Sequence, residues 1–448
     1  MRIDVTEKKE VVRLNGFHYR VLTLCTLLMF FDGFDLIAAS YVAGDIARQL
    51  SLSPQQLGIS FSAAVVGGVL GAVCIGLLGD RWGRRPAAIL SCLIFGIGTV
   101  ATAWSDSYAT LLGWRFIAGI GLGGATPIAL SMGADFGPKR LKGTLSLVMY
   151  CGFILGGLAA GAVSAATASA LGWKGLFLIG GGMTLLLVPF FVLWLPESLE
   201  VLVRQGRKAQ VALTLRRLSP GFVPLADDEY VIETDTSSKG ARLSSLFLEN
   251  RAAVTVMLWA TFFFTFLALY FYANWLPTLL REMGLTPDQA IAATVAGQVG
   301  NLCCAVFFAR LIMKRPVYNV LGLTYIGAAP MFWVIATIGG NFDYQLVANL
   351  IGGGLLAGSL GCLYALAPLA YPSDIRTTGS GWAIGVGRIG AILGPMLAGY
   401  LLSKGWSAAE LFQLSGIPPL IAGGLCIMLG ARLSRARGAS MAKVGAAL

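Results

Sequence analysis

Charge is what this sequence has least of. Lys, Arg, Asp and Glu together make up 12% of its 448 residues, against about 25% in a soluble domain. So few charged groups exclude a soluble enzyme, a disordered chain and a secreted disulfide scaffold as the main body. Histidine occurs once, as His18 at the mouth of the first apolar run. A histidine proton relay is not expected, and His18 reads as an interface residue. No Gly-Lys dipeptide occurs, so there is no Walker A loop and no sign of ATP drive. HExxH and GxSxG are absent too, which argues against a membrane hydrolase. Eight cysteines are present, but all sit inside apolar runs and none forms a CxxC pair. They read as small buried hydrophobes, and no metal or other cofactor is expected.

Apolar residues and glycine are abundant. Hydrophobic residues are 56% of the chain, 58 residues are glycine, and mean hydropathy is +0.75. A hydrocarbon core about 30 Å thick needs about 20 apolar residues per helix. Twelve such runs are present, near 17–42, 57–79, 86–104, 110–133, 141–168, 174–195, 251–276, 287–309, 316–338, 343–371, 377–402 and 408–432. The fold class expected is therefore all-α integral membrane, with twelve transmembrane helices in two six-helix bundles. The first run is too long for a signal peptide, contains two aspartates and lacks a small-residue cleavage site. With the N-terminus in the cytoplasm, 27 Lys and Arg fall on cytoplasmic segments and four on outer loops (Arg48, Lys174, Arg281 and Lys404). That bias fits the positive-inside rule and places both termini in the cytoplasm. Anionic lipid accounts for the net charge of +11, so no nucleic-acid partner is needed.

The division expected is an N-terminal bundle 1–195, a cytoplasmic linker 196–250, a C-terminal bundle 251–433 and a cytoplasmic tail 434–448. The linker carries Gly206, Pro220, Gly221, an acidic run at Asp227, Asp228, Glu229, Glu233 and Asp235, and Ser237-Ser238. The two halves repeat. Gly152 to Gly161 matches Gly390 to Gly399 at six of ten positions, with offset 238. Arg140-Leu-Lys-Gly143 matches Arg376-Thr-Thr-Gly379, and Arg84-Arg85-Pro86 matches Lys314-Arg315-Pro316. Two parallel repeats of six helices imply a site between the halves, opened alternately to each side. Gly119-Ile-Gly-Leu-Gly-Gly124 satisfies GxGxxG but lies inside an apolar run, where close helix packing is its expected role.

Several motifs carry a family resemblance. Gly79-Asp80-Arg81-Trp82-Gly83-Arg84-Arg85 resembles the loop signature of the major facilitator superfamily. Arg115-Phe-Ile-Ala-Gly119-Ile-Gly121-Leu-Gly123 is similar to that superfamily's fourth-helix motif, and Pro196-Glu197-Ser198 closes the sixth run as in many members. The second-half copy, Arg310-Leu-Ile-Met-Lys-Arg-Pro316, lacks the glycine and aspartate. Phe30-Phe31-Asp32-Gly33-Phe34-Asp35-Leu36 resembles the Asp-Gly-x-Asp signature of the aromatic acid:proton symporter family. Tyr150-Cys151-Gly152, Leu363 to Pro368 and Gly387 to Gly394 belong with it. That resemblance implies import of an aromatic carboxylate with protons across a bacterial inner membrane, in service of aromatic compound catabolism.

Asp32 and Asp35 stand near the middle of the first run, on one helix face. An aspartate at mid-membrane costs about 2.5–3.5 kcal/mol on insertion scales. Two of them point to proton coupling, and the sequence does not say which carries the proton. Arg388, deepest in the eleventh run, is the first choice for the substrate carboxylate, since a guanidinium stays charged and pairs bidentately. Arg115 either contacts substrate or pairs with an aspartate of the first run. Tyr150 occupies by the repeat the position of Arg388. Tyr364, Gln298, Asn301 and Asn274 are further polar groups in apolar runs, with substrate binding or helix pairing as their roles. The seventh run offers aromatic walls, among them Phe262, Phe266, Tyr270 and Trp275. Asp80, Arg84, Arg85, Asp135, Arg140, Asp374 and Arg376 read as gate or latch residues. The partners expected are a small aromatic acid, protons and the lipid bilayer, with a monomer as the working unit. The rival readings are a non-aromatic acid such as a dicarboxylate, export, a non-transporting receptor and, least favoured, a membrane enzyme.

Overall fold

Each of the twelve apolar runs is helical in the computed structural model, which describes residues 2–5, 14–167, 171–219, 229–231, 243–248, 251–372 and 374–445. The first six are α1 (Gly16–Tyr41), α2 (Pro54–Trp82), α3 (Arg84–Thr102), α4 (Tyr108–Phe136), α5 (Lys142–Thr167) and α6 (Gly172–Trp194). The second six are α7 (Ala252–Glu282), α8 (Pro287–Leu311), α9 (Val317–Ile338), α10 (Phe342–Gly358), α11 (Arg376–Ser403) and α12 (Ile417–Gly445). All twelve are long and apolar enough to cross a membrane once α10 and α12 are joined to the short helices Leu360–Leu366 and Ala408–Ser415 beside them. Polar caps mark their starts. Ser107, Thr286 and Ser407 each accept a backbone N–H from the third residue of the helix they open.

The chain divides into two units. Unit 1 holds residues 1–50 and 63–235, and unit 2 holds 51–62 and 236–448. In unit 1, α1 packs on α5, and α3 on α4 and α6. In unit 2, α7 packs on α11, α8 on α10 and α9 on α12. The repeated glycine segment explains part of this symmetry. A Cβ on Gly156 of α5 would fall 1.8 Å from Phe30 O of α1. A Cβ on Gly394 of α11, 238 positions on, would fall 2.5 Å from Leu267 O of α7. The sequence repeat is thus a repeat of one close backbone contact. Unit 2 includes the first turns of α2, where Ser62 Oγ donates to Ile392 O at 2.7 Å and the Phe61 ring meets Trp275 edge-on.

The GxGxxG segment is a packing motif. Cβ atoms on Gly119 and Gly123 would lie 2.1 and 1.9 Å from the carbonyl oxygens of Ala64 and Gly68 on α2. The described parts of the segment between α6 and α7 hold regular structure that its polar composition does not announce. It forms helices Leu199–Arg204 and Lys208–Leu218, the latter burying Val211, Leu215 and Leu218. Its strand Glu229–Val231 pairs in parallel with Arg2–Asp4. Pro220, Gly221, Asp227, Asp228, Glu233, Asp235, Ser237 and Ser238 lie outside the described residues. His18, at the start of α1, is buried against its neighbours. It sits in the capping box of Asn15, whose amide also donates to Arg217 O and Leu218 O at 3.0 Å each. One side chain therefore caps the start of α1 and the end of the linker helix. Beyond 433, α12 continues as helix to Gly445.

Candidate functional site

The two aspartates of α1 have different environments. Asp35 is 1% exposed and pairs with Arg115, itself 5% exposed. Arg115 Nη1 lies 3.1 and 3.0 Å from the two carboxylate oxygens. Thr99 of α3 donates to the same carboxylate at 3.2 Å, and the guanidinium lies 5.6 Å from the Phe177 ring of α6. Four helices thus converge on one buried ion pair. A buried pair needs further compensation: Thr99 supplies a hydrogen bond to the carboxylate, and the Phe177 ring offers its face to the guanidinium. Asp32 is less deeply buried and accepts from the hydroxyl of Thr126 on α4. Gly33, between them, lets the α5 backbone approach, since a Cβ there would fall 1.9 Å from Phe153 O. Tyr150 stacks on Phe153 of its own helix, ring centroids 5.9 Å apart.

Unit 2 builds a second polar group around Arg388. Gly387 and Gly390 bring α11 against Phe262, Phe263 and Phe266 of α7, which holds Arg388 beside that helix. Its Nη1 donates to the Tyr270 hydroxyl at 3.1 Å, and its Cζ lies 6.0 Å from the centroid of Phe266. Tyr364 is 38% exposed, and its ring lies 6.3 and 6.4 Å from those of Phe262 and Phe266. Helix α10 is interrupted at Ser359, five residues before Tyr364. Broken helices recur at the solute sites of transporters. Tyr270 accepts from Arg388 and keeps its own proton to donate. A half-buried guanidinium, a phenol and the exposed Tyr364 ring, backed by the buried Phe262 and Phe266, can take a carboxylate attached to an apolar body.

The other polar candidates turn elsewhere. Asn301 donates to Gln298 at 3.4 Å, and its buried carbonyl oxygen has no hydrogen-bond partner among the described residues. Asn274 donates to Tyr270 O of its own helix at 2.8 Å. These contacts join α8 and α7 residues to neighbours on the same helix.

The loop signature closes on unit 1. Gly83 has φ +123°, a conformation open to glycine, and a Cβ there would lie 2.2 Å from Glu197 Oε2. Glu197 Oε1 accepts from the backbone N–H groups of Arg84, Arg85 and Ser198 at 2.7, 3.3 and 2.9 Å. A carboxylate thus caps the positive end of α3. Arg84 pairs with Asp135 at 3.0 Å and Glu200 at 3.4 Å, and Ser198 donates to Asp135. Arg85 donates to Val192 O. Asp135 therefore pairs with Arg84, not with the nearby Arg140. Asp80, Arg140, Asp374 and Arg376 are exposed and form no ion pair among the described residues.

Sequence reasoning missed Thr126, Thr99, Glu200 and the particular role of Tyr270. Hydroxyls and rings are common in apolar helices, and Glu200 is one of several acidic residues of the polar linker, so nothing in the pattern singles these out. Glu197 was visible in its motif, but its capping of α3 needed the fold.

Twelve apolar helices, with carboxylates, arginines and tyrosines set within them, define a multi-pass membrane protein, and its family and relatives make it a transporter and not an enzyme. The model of the Major Facilitator Superfamily matches residues 23–383 and 258–444, and the chain belongs to that superfamily. It is 32% identical to the 4-hydroxybenzoate transporter PcaK of Pseudomonas aeruginosa, over 96% of each chain. It is 36% identical to the 3-(3-hydroxy-phenyl)propionate transporter of Escherichia coli K12, covering 92% of this chain and 94% of that one. The gallate transporter of Pseudomonas putida is 31% identical, covering 94% and 93%. These relatives bear out the resemblance carried by the Asp-Gly-x-Asp segment. Among solved structures, the inward open xylose transporter XylE of E. coli matches with TM-score 0.70 over 91% of this chain and 94% of that one, at 17% identity, which supports the fold.

Proposed function

We propose that this protein imports an aromatic carboxylate together with a proton, by alternating access, across a bacterial inner membrane with both termini cytoplasmic. The observation that carries the reading is the Arg388 group. Its guanidinium is anchored by Tyr270 and Phe266 deep in an apolar helix, beside the exposed ring of Tyr364. That is the chemistry an aryl carboxylate needs: charge for one end and rings for the other. The names of the relatives point to the same solute class.

The coupling proton belongs to Asp32. Asp35 is already neutralised by Arg115, so it has a fixed partner that stabilises its charge. Asp32 leans on a hydroxyl, which serves either protonation state by rotating its hydrogen. Protonation of Asp32 and binding of a monoanion at Arg388 together leave the loaded protein with no added charge, which lowers the cost of moving polar groups past lipid. The Arg84–Asp135–Glu197 cluster acts as the latch that holds the ends of α3 and α4 during the cycle. The exposed Asp80, Arg140, Asp374 and Arg376 serve as gating charges, and the protein works as a monomer in the bilayer.

The test is uptake of labelled 4-hydroxybenzoate, gallate and 3-(3-hydroxyphenyl)propionate into proteoliposomes under an imposed inward proton gradient. Accumulation above the equilibrium level, abolished by collapsing the gradient, supports symport and import. Uptake that ignores the gradient would remove the proton, and no uptake of any of these acids by folded protein would overturn the solute class.

A further inference from the structure

Three hydroxyls meet where α10 is interrupted. Ser359 N–H turns to Ala357 O, and the Ser359 hydroxyl donates to Leu356 O at 3.0 Å, so the regular helix ladder lapses there. Tyr325 of α9 and Thr265 of α7 reach the same place, and all three side chains are buried. The Tyr325 hydroxyl lies within electrostatic reach of the Thr265 and Ser359 hydroxyls. It forms no hydrogen bond to either, and neither it nor Thr265 Oγ1 has a partner among the described residues. Trp275, a larger side chain buried as fully, does find one, donating to Pro395 O at 3.0 Å. A buried hydroxyl left unpaired loses its hydration for nothing.

Thr265 is also turned away from the acceptor its own helix offers. Thr261, Thr294 and Thr324 each donate to the carbonyl four residues back, at 2.8, 2.8 and 2.7 Å. Thr99 and Thr126 donate instead to Asp35 and Asp32. Thr265 does neither, and its hydroxyl faces Tyr325 rather than Thr261 O. Polar groups that face each other beyond bonding distance are joined through water. The titratable groups that act on Tyr325 are two thiols, Cys362 and Cys426. Neither a carboxylate nor a cation is among them, so the site suits a neutral occupant and not an ion.

We propose that a buried water molecule bridges the hydroxyls of Tyr325, Thr265 and Ser359 at the interruption of α10. Ser359 already donates to Leu356 O, so it accepts from the water, while Tyr325 and Thr265 can each donate or accept. Three partners are about the usual number for an internal water. The water ties α7 and α9 to the broken helix through one molecule that can re-orient, where a direct bond would fix a single geometry. The site stands independently of which solute the protein carries.

Tyr325→Phe and Thr265→Val test it, because the sign of the effect differs between the two cases. Each variant keeps the shape of the side chain and removes one hydroxyl. If the hydroxyls are unpaired, their removal relieves a buried polar group and the melting temperature rises or stays level. If they hold a water, each variant lowers it, by about 2 °C or more. The double variant should then lose less than the sum of the singles, since both act on one molecule. A map of the full chain that resolves ordered waters is expected to show density between the three hydroxyls, lost in Tyr325→Phe. A rise or no change in melting temperature in both single variants would overturn the proposal. So would a map in which Tyr325 and Thr265 bond directly with nothing between them. The third overturning result is a melting temperature that climbs with sodium chloride but not with choline chloride at equal ionic strength in the wild type and not in Tyr325→Phe, which would assign the site to a cation.

Discussion

The two carboxylate oxygens of Asp35 lie 3.1 and 3.0 Å from one nitrogen of Arg115, and water reaches neither side chain to any extent. Removing one partner of such a pair leaves an unbalanced buried charge, at a cost of about 3–5 kcal/mol. Asp35→Asn and Arg115→Gln are each expected to lower the melting temperature of the purified protein in detergent. The double variant should recover much of the loss. Single variants that melt like wild type would show that the pair has no structural role.

Asp32→Asn is expected to behave differently. Its carboxylate accepts from the Thr126 hydroxyl and is less buried than that of Asp35, and an amide oxygen can accept the same hydrogen bond. Gradient-driven accumulation should vanish, while exchange of labelled for unlabelled solute and the melting temperature persist. Accumulation retained in Asp32→Asn would move the proton to another group.

Tyr270→Phe removes the hydroxyl that accepts from Arg388. One hydrogen bond to a charged group contributes about 1.5–3 kcal/mol, so KM should rise by about tenfold or more. Arg388→Lys should be worse, because an ammonium lacks the planar fork. Initial uptake rates over a range of solute concentrations measure both. An unchanged KM in Tyr270→Phe would remove the hydroxyl from the site.

Gly83→Ala meets two obstacles at once, a φ of +123° and the Glu197 carboxylate 2.2 Å from the new Cβ. A loss of about 1–3 kcal/mol is expected, read as a lower melting temperature. Glu197→Gln keeps an acceptor for the α3 N–H groups but loses the charge. It should cost about 1 kcal/mol or less. If Gly83→Ala proved neutral, the loop would be freer than its contacts suggest.

Much of the fold was legible because lipid simplifies the code. Each crossing must satisfy its own backbone, so it must be a helix of about 20 apolar residues, and those runs can be counted. Glycine repeats were readable for a related reason: the Gly156 and Gly394 contacts each require the absence of a side chain. Rarity exposed the site residues. Asp32, Asp35, Arg115 and Arg388 stand out because charge inside such helices is costly. Common residue types carried no such mark, which is why Thr126 and Thr99 stayed hidden among many hydroxyls, and why Tyr270 was visible only as one ring among several and not as the partner of Arg388.

By itself, the sequence determined that this is a twelve-helix membrane protein, duplicated, with four charges set inside its apolar runs. Length, hydropathy and the cost of charge in lipid are properties of single segments, and they need no partner to be read. Only the tertiary structure decided how those charges are used. Asp32 and Asp35 lie on one helix face three residues apart, yet one meets an arginine and the other a hydroxyl. Asp135 passes over its neighbour Arg140 for Arg84. Partner choice depends on which helices lie side by side and how far each slides along the next, and that is set by packing between segments distant in the chain.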